Sequence, residues 1–354
     1  MIRVCIFAVA LAALALAKTG KADDNATLIE LPYGALPSAV ASGSTVVGGL
    51  LSGGGFYWMP TTGVIYLGGL QAAAEDRIGR TIVGEALDSS GRQTAAIWQR
   101  GAEWRTLGSI VPNAQPCDAL LSTAIDTSAD GSVIVGLAWN GCNIARAFRW
   151  EESTGMVDLG TTVPNQATRA DGVSGDGKVI VGFQEDRTGF WQGARWVDGK
   201  QTLFAGPETA VGQAFDVNAD GSIIVGQACR PAEVRDQSAW VWNSRDGVQC
   251  LPPPRVKLTD FFIGKAYGTS DDGRVIVGGQ SFGLESEAVI WIDKQPHYLK
   301  DYLREHGVPN AFENWVNTGA VREVSRDGRM LVGSGAGPLG FKGYIVILDG
   351  IGGK

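Results

Sequence analysis

Histidine is scarce in this sequence, and so are the other residues from which most catalytic and metal sites are built. The chain has two histidines, five cysteines and four methionines. His297 and His306 lie close together late in the chain, no cysteine–histidine spacing fits zinc, and no Gly-x-Ser-x-Gly motif frames a nucleophilic serine. The sequence therefore predicts no catalytic residue, no metal site and no cofactor.

Long apolar runs are missing after the first seventeen residues. Arg3 precedes an apolar run over 4–17 that ends in Ala-Leu-Ala, an order typical of a secretory signal peptide. We expect a signal peptide at 1–17, a flexible leader at 18–25 and no membrane span after cleavage. The net charge is −7, so nucleic acid is not an expected partner. The predicted location is periplasmic, cell-surface or extracellular.

Glycine is abundant, at 50 residues, and much of it belongs to a repeated motif. Ile125–Gly136 reads Ile-Asp-Thr-Ser-Ala-Asp-Gly-Ser-Val-Ile-Val-Gly, and Phe215–Gly226 repeats it closely. Asp-Gly between apolar segments favours a hairpin, because both residues tolerate positive φ. The apolar run after the turn predicts a strand buried on both faces, and its closing glycine predicts a bend or a close backbone approach.

Seven copies of this motif occupy most of the chain. Their closing glycines are Gly48, Gly84, Gly136, Gly182, Gly226, Gly278 and Gly333. An aromatic strand and usually a fourth strand follow each copy, which gives four strands in roughly 40–50 residues, the pattern of a β-propeller blade.

The predicted fold is all-β, a seven-bladed β-propeller of four-stranded antiparallel blades over 26–348, with a tail at 349–354. Thr27–Leu31 resembles a fourth strand, whereas the seventh copy has only three. We therefore expect the N-terminal strand to pair with the last blade and close the ring. A right-handed β-solenoid is the alternative.

Strands within a blade are labelled A to D, with the A–B turns on the lower face and the B–C and D–A connections on the upper face. Four cysteines fall at upper-face strand ends, which allows disulfides between Cys117 and Cys142 and between Cys229 and Cys250. Four free buried thiols are the alternative. The segment at about 298–317 has apolar residues at helical spacing, and we predict a short helical insertion on the upper face.

Most tryptophans occupy the same position of strand C and are expected to pack within blades. Trp139, Trp191 and Trp315 do not, and they map to upper-face connections. Together with Asn140 and Arg187, they are the candidate ligand-binding residues, suited to a glycan, peptide or protein partner. The alternative is that these rings fold back onto their own blades.

The repeat resembles the HAF family of probable extracellular repeats. The resemblance rests on Ala124–Gly131, the Val-Gly pair ending at Gly136, the Arg146-Ala147-Phe148 triplet and Asp158-Leu159-Gly160, although no copy has the histidine of the family's His-Ala-Phe triplet. It implies a secreted or surface-exposed bacterial propeller-like protein and supplies no reaction or catalytic residues.

Two hypotheses for function follow. The first hypothesis is an exported binding or interaction module whose ligand lies at the upper face. Under this hypothesis, which we favour, the protein is not an enzyme. The second is a propeller lyase or hydrolase acting on glycans or peptides, with carboxylates or His297 and His306 lining the central cavity.

Overall fold

Each copy of the repeat folds as one four-stranded antiparallel sheet. The computed structural model describes residues 25–41, 45–111, 121–141, 144–205, 211–229, 237–254, 262–283 and 285–350. Within these ranges the sheets form the seven blades of a β-propeller, as predicted. The proposed signal peptide, most of the leader, Cys117 and Cys142 lie outside the described residues.

The first strand, β1 (Ala26–Tyr33), belongs to the last blade, and blades one to four follow it in order. Their strands are β2 (Ala35–Val40), β3 (Val46–Leu50), β4 (Gly55–Met59) and β5 (Gly63–Gly68); β6 (Gln71–Glu75), β7 (Thr81–Leu87), β8 (Gln93–Gln99) and β9 (Arg105–Thr106); β10 (Ser122–Thr127), β11 (Ile134–Trp139), β12 (Ala145–Glu151) and β13 (Gly155–Asp158); and β14 (Thr168–Val173), β15 (Val179–Glu185), β16 (Trp191–Val197) and β17 (Lys200–Leu203).

Blades five and six complete their sheets from contiguous chain, whereas blade seven takes its fourth strand from β1. The remaining elements are β18 (Ala214–Val217), β19 (Ile223–Cys229), β20 (Ser238–Asn243) and β21 (Gly247–Cys250); β22 (Ile263–Thr269), β23 (Val275–Phe282), β24 (Glu285–Ile292) and β25 (Gln295–Tyr298); helix α1 (Leu299–Glu305); and β26 (Asn317–Val324), β27 (Met330–Gly337) and β28 (Gly340–Leu348). Two further pairs, Gln227 with Lys265 and Gln237 with Ile263, link blades five and six.

Ring closure follows the prediction. Strand β1 pairs antiparallel with β28, with Thr27 opposite Ile347 and Ile29 opposite Ile345. The outer edge of the last blade therefore has a hydrogen-bonded partner, as in the other blades. Buried apolar residues fill the spaces between neighbouring sheets, so each sheet is covered on both faces.

A β-bulge in every strand A explains the closing glycines. In blade three the register shifts between Ala124 and Asp126, so Ile125 is the extra residue, and the other six blades repeat this shift. The bulge brings the carbonyl of the residue before Ala124 against strand B. A Cβ on Gly136 would lie 2.0 Å from the carbonyl oxygen of Thr123. The predicted close backbone approach is thus confirmed, and the bulge is its cause.

The Ala-Asp-Gly turns differ in one detail from the expected hairpin. Only the glycine has positive φ, at 74° for Gly131. Asp130 contributes its carboxylate instead, which accepts hydrogen bonds from the hydroxyl of Ser128 (2.7 Å) and the N–H of Ser132 (3.0 Å). The Ser128 hydroxyl in turn accepts from the N–H of Val133 (3.0 Å). The motif therefore encodes a four-residue turn held by side chains.

Backbone hydrogen bonds also join the A–B turns of successive blades around the lower face. They run from the N–H of one turn to an acceptor in the next: Arg77 to Ala129, Ala129 to Gly175, Gly175 to Ala219, Ala219 to the carboxylate of Asp271, and Asp271 to Arg326.

The helical insertion lies elsewhere than predicted. Helix α1 packs at the outer edge between blades six and seven, with Leu299, Tyr302 and Leu303 buried against their cores. The carbonyl of His306, after the helix, accepts from the N–H of Ala26, at the lower end of β1. The upper-face placement was therefore wrong, because the buried residues of the helix pack into the core shared by blades six and seven.

Cys229 and Cys250 form a disulfide, with their Cα atoms 5.5 Å apart. They end strands β19 and β21, which both reach the upper face of blade five. The bridge closes a short loop, so the Cys229→Ser/Cys250→Ser variant should lose about 3 kcal/mol of unfolding free energy, measured by urea denaturation. Rapid alkylation of both thiols in the folded, unreduced protein would contradict this pairing.

Candidate functional site

The seven A strands stand side by side around the ring axis. Each contacts the A strand of the next blade, including the contact between β2 and β26 that completes the circle. The bulged residues of these strands differ from blade to blade, although their backbone positions are equivalent: Ser38, Ala73, Ile125, Asp171, Phe215, Tyr267 and Arg322. The central channel thus has a polar and aromatic side, contributed by blades four to seven.

A cavity of about 80 Å³ lies on the axis near the lower face, lined by residues from all seven blades. Asp126 and Glu323 line it, and Arg326 reaches in from the last A–B turn. The Arg326 guanidinium donates to the carbonyl of Val217 (2.8 Å) and lies 3.6 Å from the carboxylate of Asp216. Three carboxyl groups of blades three, five and seven therefore share one arginine.

Glycines in the alternate blades make room for these carboxyl groups. A Cβ on Gly268 would lie 2.5 Å from Oε1 of Glu323, and one on Gly172 would meet the backbone of Asp216. The Asp126 carboxylate accepts from the N–H of Val173 (2.8 Å), and that of Asp216 accepts from Thr269 (2.9 Å). Each aspartate thus ties its blade to the next one.

Burial changes the titration of this cluster. It raises the pKa of Asp126 to about 6, with Arg326 opposing the shift. It also raises the pKa of Asp216 and, more strongly, that of Glu323, which faces the negative charge of Asp216. Proton uptake near neutral pH thus relieves the repulsion among carboxylates that one guanidinium does not balance.

Glu75 is a further buried carboxyl group beside this cavity. Its Oε1 accepts from the N–H of Ala41 (3.0 Å), whereas its Oε2 is inaccessible to solvent and has no hydrogen-bond partner among the described residues. Burial, with a smaller contribution from the charge of Asp76, raises the pKa of Glu75 to about 8. The corresponding residues in the next blades are Thr127 and Val173.

An exposed aromatic platform lies on the upper face of blade four. Trp191 is 44% exposed, and its ring stacks on Phe183 with centroids 4.5 Å apart and planes 9° from parallel. The guanidinium of Arg169 lies 5.2 Å from the Phe183 ring and 5.8 Å from the Trp191 ring. These contacts fix the orientation of the Trp191 ring, and its exposed part remains accessible to a ligand.

Polar contacts extend the platform towards the channel. Arg169 donates from Nε to Asp171 (2.8 Å), whose other oxygen accepts from the amide of Gln213 (2.9 Å). Burial raises the pKa of Asp171 to about 6, with Arg169 and Gln213 opposing the shift. The platform, defined as Arg169, Asp171, Phe183 and Trp191, thus combines an apolar face with a charged pair.

The remaining predicted site residues lie in different surroundings. Asn140 and Arg187 are exposed in the upper-face B–C turns of blades three and four. Trp139 is partly buried, and its Nε1 is inaccessible without a hydrogen-bond partner in the described ranges. Trp315 packs on Phe312 and Tyr344 and donates to Glu30 (2.8 Å). None of the described ring contacts joins Trp139, Trp191 and Trp315.

The two histidines do not line the central cavity, which corrects that part of the enzyme hypothesis. His297 lies on β25, the outermost strand of blade six, and His306 follows helix α1. Their rings contact Tyr302 at centroid distances of 5.5 and 4.0 Å. They are far from the axis because the D strand of a blade is the strand furthest from the channel.

Sequence reasoning missed Arg169, Asp171 and Phe183. A signal for Asp171 was present, since an alanine recurs in five of the seven A strands and the residue after this position differs in every blade. A position that varies among otherwise similar repeats is free of packing constraints and is a candidate for ligand contacts.

No family model matches the chain, and no curated protein sequence matches it. The fold is similar to that of a puromycin hydrolase, with a TM-score of 0.56 and 12% identity over 90% of this chain and 54% of that chain. It is also similar to the β-propeller domain of the Trilobed protease from Pyrococcus furiosus, with a TM-score of 0.55 and 11% identity over 88% of this chain and 95% of that domain. That domain has an open velcro topology, whereas β1 closes the ring here.

A third structural match is TolB from Acinetobacter baumannii, with a TM-score of 0.46 and 14% identity, covering 74% of this chain and 61% of the TolB chain. At these identities the comparisons show the β-propeller fold alone. The resemblance to HAF repeats stays a prediction. Among the described residues, no helix combines the length and apolar character needed to cross a membrane.

Proposed function

We propose that this propeller is an exported binding module that takes a glycan, peptide or protein at its upper face. The observation that supports it best is the exposed Trp191 ring, stacked on Phe183 and flanked by the Arg169 guanidinium. An indole face of this kind suits the apolar face of a sugar ring or an apolar side chain, and the partly exposed Arg169 guanidinium offers polar contacts beside it.

Export is supported by the Cys229–Cys250 disulfide, because such bonds persist in oxidising compartments. The proposal includes a periplasmic, cell-surface or extracellular location for the mature protein and a relationship to HAF repeats.

The enzyme alternative has weaker geometric support. The carboxyl groups on the axis face a cavity of about 80 Å³, well below the roughly 300–1,000 Å³ of ordinary ligand pockets. Their hydrogen bonds link neighbouring blades, which accounts for their burial without a substrate.

The binding role is tested by screening the purified protein against glycan and peptide arrays and repeating each hit with variants. Trp191→Ala should weaken binding at least tenfold, because buried tryptophans at interfaces often contribute 2 kcal/mol or more. Trp191→Phe should retain most of the affinity, since a phenyl ring still stacks on Phe183.

Trp139→Ala is the matched control, a tryptophan on the same face that is partly buried. It should change binding less than threefold provided its melting curve shows a folded protein. Equal losses in Trp139→Ala and Trp191→Ala, or no loss in either, would count against the platform.

A further inference from the structure

A separate pocket lies on the upper face where blades seven, one and two meet at the mouth of the channel. Its volume is about 420 Å³, within the range of small-ligand sites. Its wall is mainly apolar and includes Leu36, Pro37, Leu50 and Leu51. Leu51 is 60% exposed, so the pocket is open to solvent on that side.

One cation, Arg322, lines this pocket. Its guanidinium lies 5.0 Å from the centroid of the Tyr267 ring, and Tyr267 packs on Phe215 at 4.8 Å. These rings position the guanidinium but do not neutralise it. Within the described residues, Arg322 forms no ion pair and no hydrogen bond, and no acidic residue lines the pocket. Its five N–H donors are available to a ligand.

Three neutral polar side chains complete the lining: Ser38, Gln71 and Ser334. The Ser38 hydroxyl donates to the carbonyl of Ala72 (3.0 Å), whereas Gln71 and Ser334 have no side-chain hydrogen bond in the part of the chain that the structure describes. Gln71 is exposed and Ser334 is half-buried, so both side chains can hydrogen-bond to a ligand that carries polar groups beside its charge. An apolar body, one carboxylate and an adjacent amide together match this lining.

We propose that this pocket binds the carboxyl-terminal residue of a peptide or protein whose last side chain is apolar. The carboxylate pairs with the planar fork of Arg322, the side chain packs on the leucines, and the last amide bonds to Gln71. The remaining peptide leaves past the exposed Leu51. This site lies apart from the platform and does not depend on the function proposed for Trp191.

The test is isothermal titration of the full chain with acetyl-Ala-Ala-Leu as the free acid, with its carboxyl-terminal amide and with hexanoate. The free acid should bind at least tenfold more tightly than the amide, because the amide has no charge for Arg322. Arg322→Gln should reduce the affinity for the free acid to that for the amide, and Arg322→Lys should fall between them.

Arg195→Gln is the matched control, since its guanidinium also lies over an aromatic ring, 4.6 Å from Trp242, away from the pocket. It should leave binding of the free acid unchanged. Leu51→Glu, at an exposed position, should weaken binding by placing a negative charge at the entrance. Equal binding of acid and amide, unchanged affinity in Arg322→Gln, hexanoate as tight as the peptide acid, or no binding of any probe would overturn the proposal.

Discussion

Gly48→Ala is expected to destabilise the protein by at least 3 kcal/mol, a loss comparable with that of a whole buried side chain. A Cβ at this position would lie 2.2 Å from the carbonyl oxygen of Leu36 and 2.7 Å from the Cα of Pro37. Both atoms belong to the backbone of β2, so relief requires separating two paired strands. Urea denaturation should show a lower midpoint. The clash lies between the first two strands of blade one.

The neighbouring glycine provides the control for this prediction. A Cβ on Gly49 would meet nothing closer than the Cβ of Gln71, at 3.9 Å. Gly49→Ala should therefore change stability by less than about 0.5 kcal/mol, or raise it slightly by restricting the unfolded chain. If the two variants unfold at the same urea concentration, the bulge does not account for the closing glycines.

The second large effect is a loss of stability between pH 5 and pH 8.5. A carboxyl group whose folded pKa is raised binds its proton more tightly in the folded chain, so the resulting stabilisation is complete below the unfolded pKa and is lost as pH rises through the folded one. For Asp126 this window runs from about 4 to about 6, and for Glu75 from about 4.5 to about 8. Glu75 alone should contribute on the order of 5 kcal/mol over its whole window.

The aspartates of the A–B turns have the opposite effect on stability, and they exert it at lower pH. Hydrogen bonds from Ser174 and Lys178 lower the pKa of Asp176 to about 2, and those of the Asp130 and Asp220 turns are also lowered. Their stabilisation is present above the unfolded pKa and is lost as pH falls through the folded one. Stability should therefore be greatest near pH 5.

Glu75→Gln isolates the largest part of this pH dependence. The amide oxygen still accepts from Ala41, and the buried charge is gone, so the variant should be more stable than the wild type at pH 8.5 and similar to it at pH 5. Glu152→Gln is the control, because Glu152 is exposed in a surface ion pair with Arg105. Urea denaturation at each pH measures the difference in unfolding free energy between Glu75→Gln and the wild type. A difference that is the same at pH 5 and pH 8.5 would contradict the prediction.

The ring was predictable because its determinants are local and repeated. The turn, the buried apolar run and the closing glycine recur from copy to copy. Each of them is determined by the backbone of a single hairpin. The bulge itself was not predicted, since Ile125 looks like any strand residue. The sequence sign of the bulge was Gly136. The close backbone approach at this glycine was predicted correctly, but the bulge that causes it was not.

The candidate site was less predictable, because its members converge from different strands. Trp191 was singled out as an aromatic residue outside the repeated strand position, but its partner Phe183 lies on another strand and looks like core. Trp315 was grouped with it on topology, yet its ring packs on Tyr344 of blade seven. Whether an indole faces solvent depends on the neighbours it finds in three dimensions, and the repeat does not encode them.

The strand that closes the ring has a consequence for biosynthesis. Blades one to six draw their strands from contiguous chain and can form in the order in which they are made. The partner of β1 arrives much later, since Glu30 and Lys342 are 312 residues apart. At about 5–20 residues per second, synthesis of the intervening chain takes roughly 15–60 seconds. Until β28 is made, β1 lacks its native partner, and an unpaired strand edge can pair with other chains.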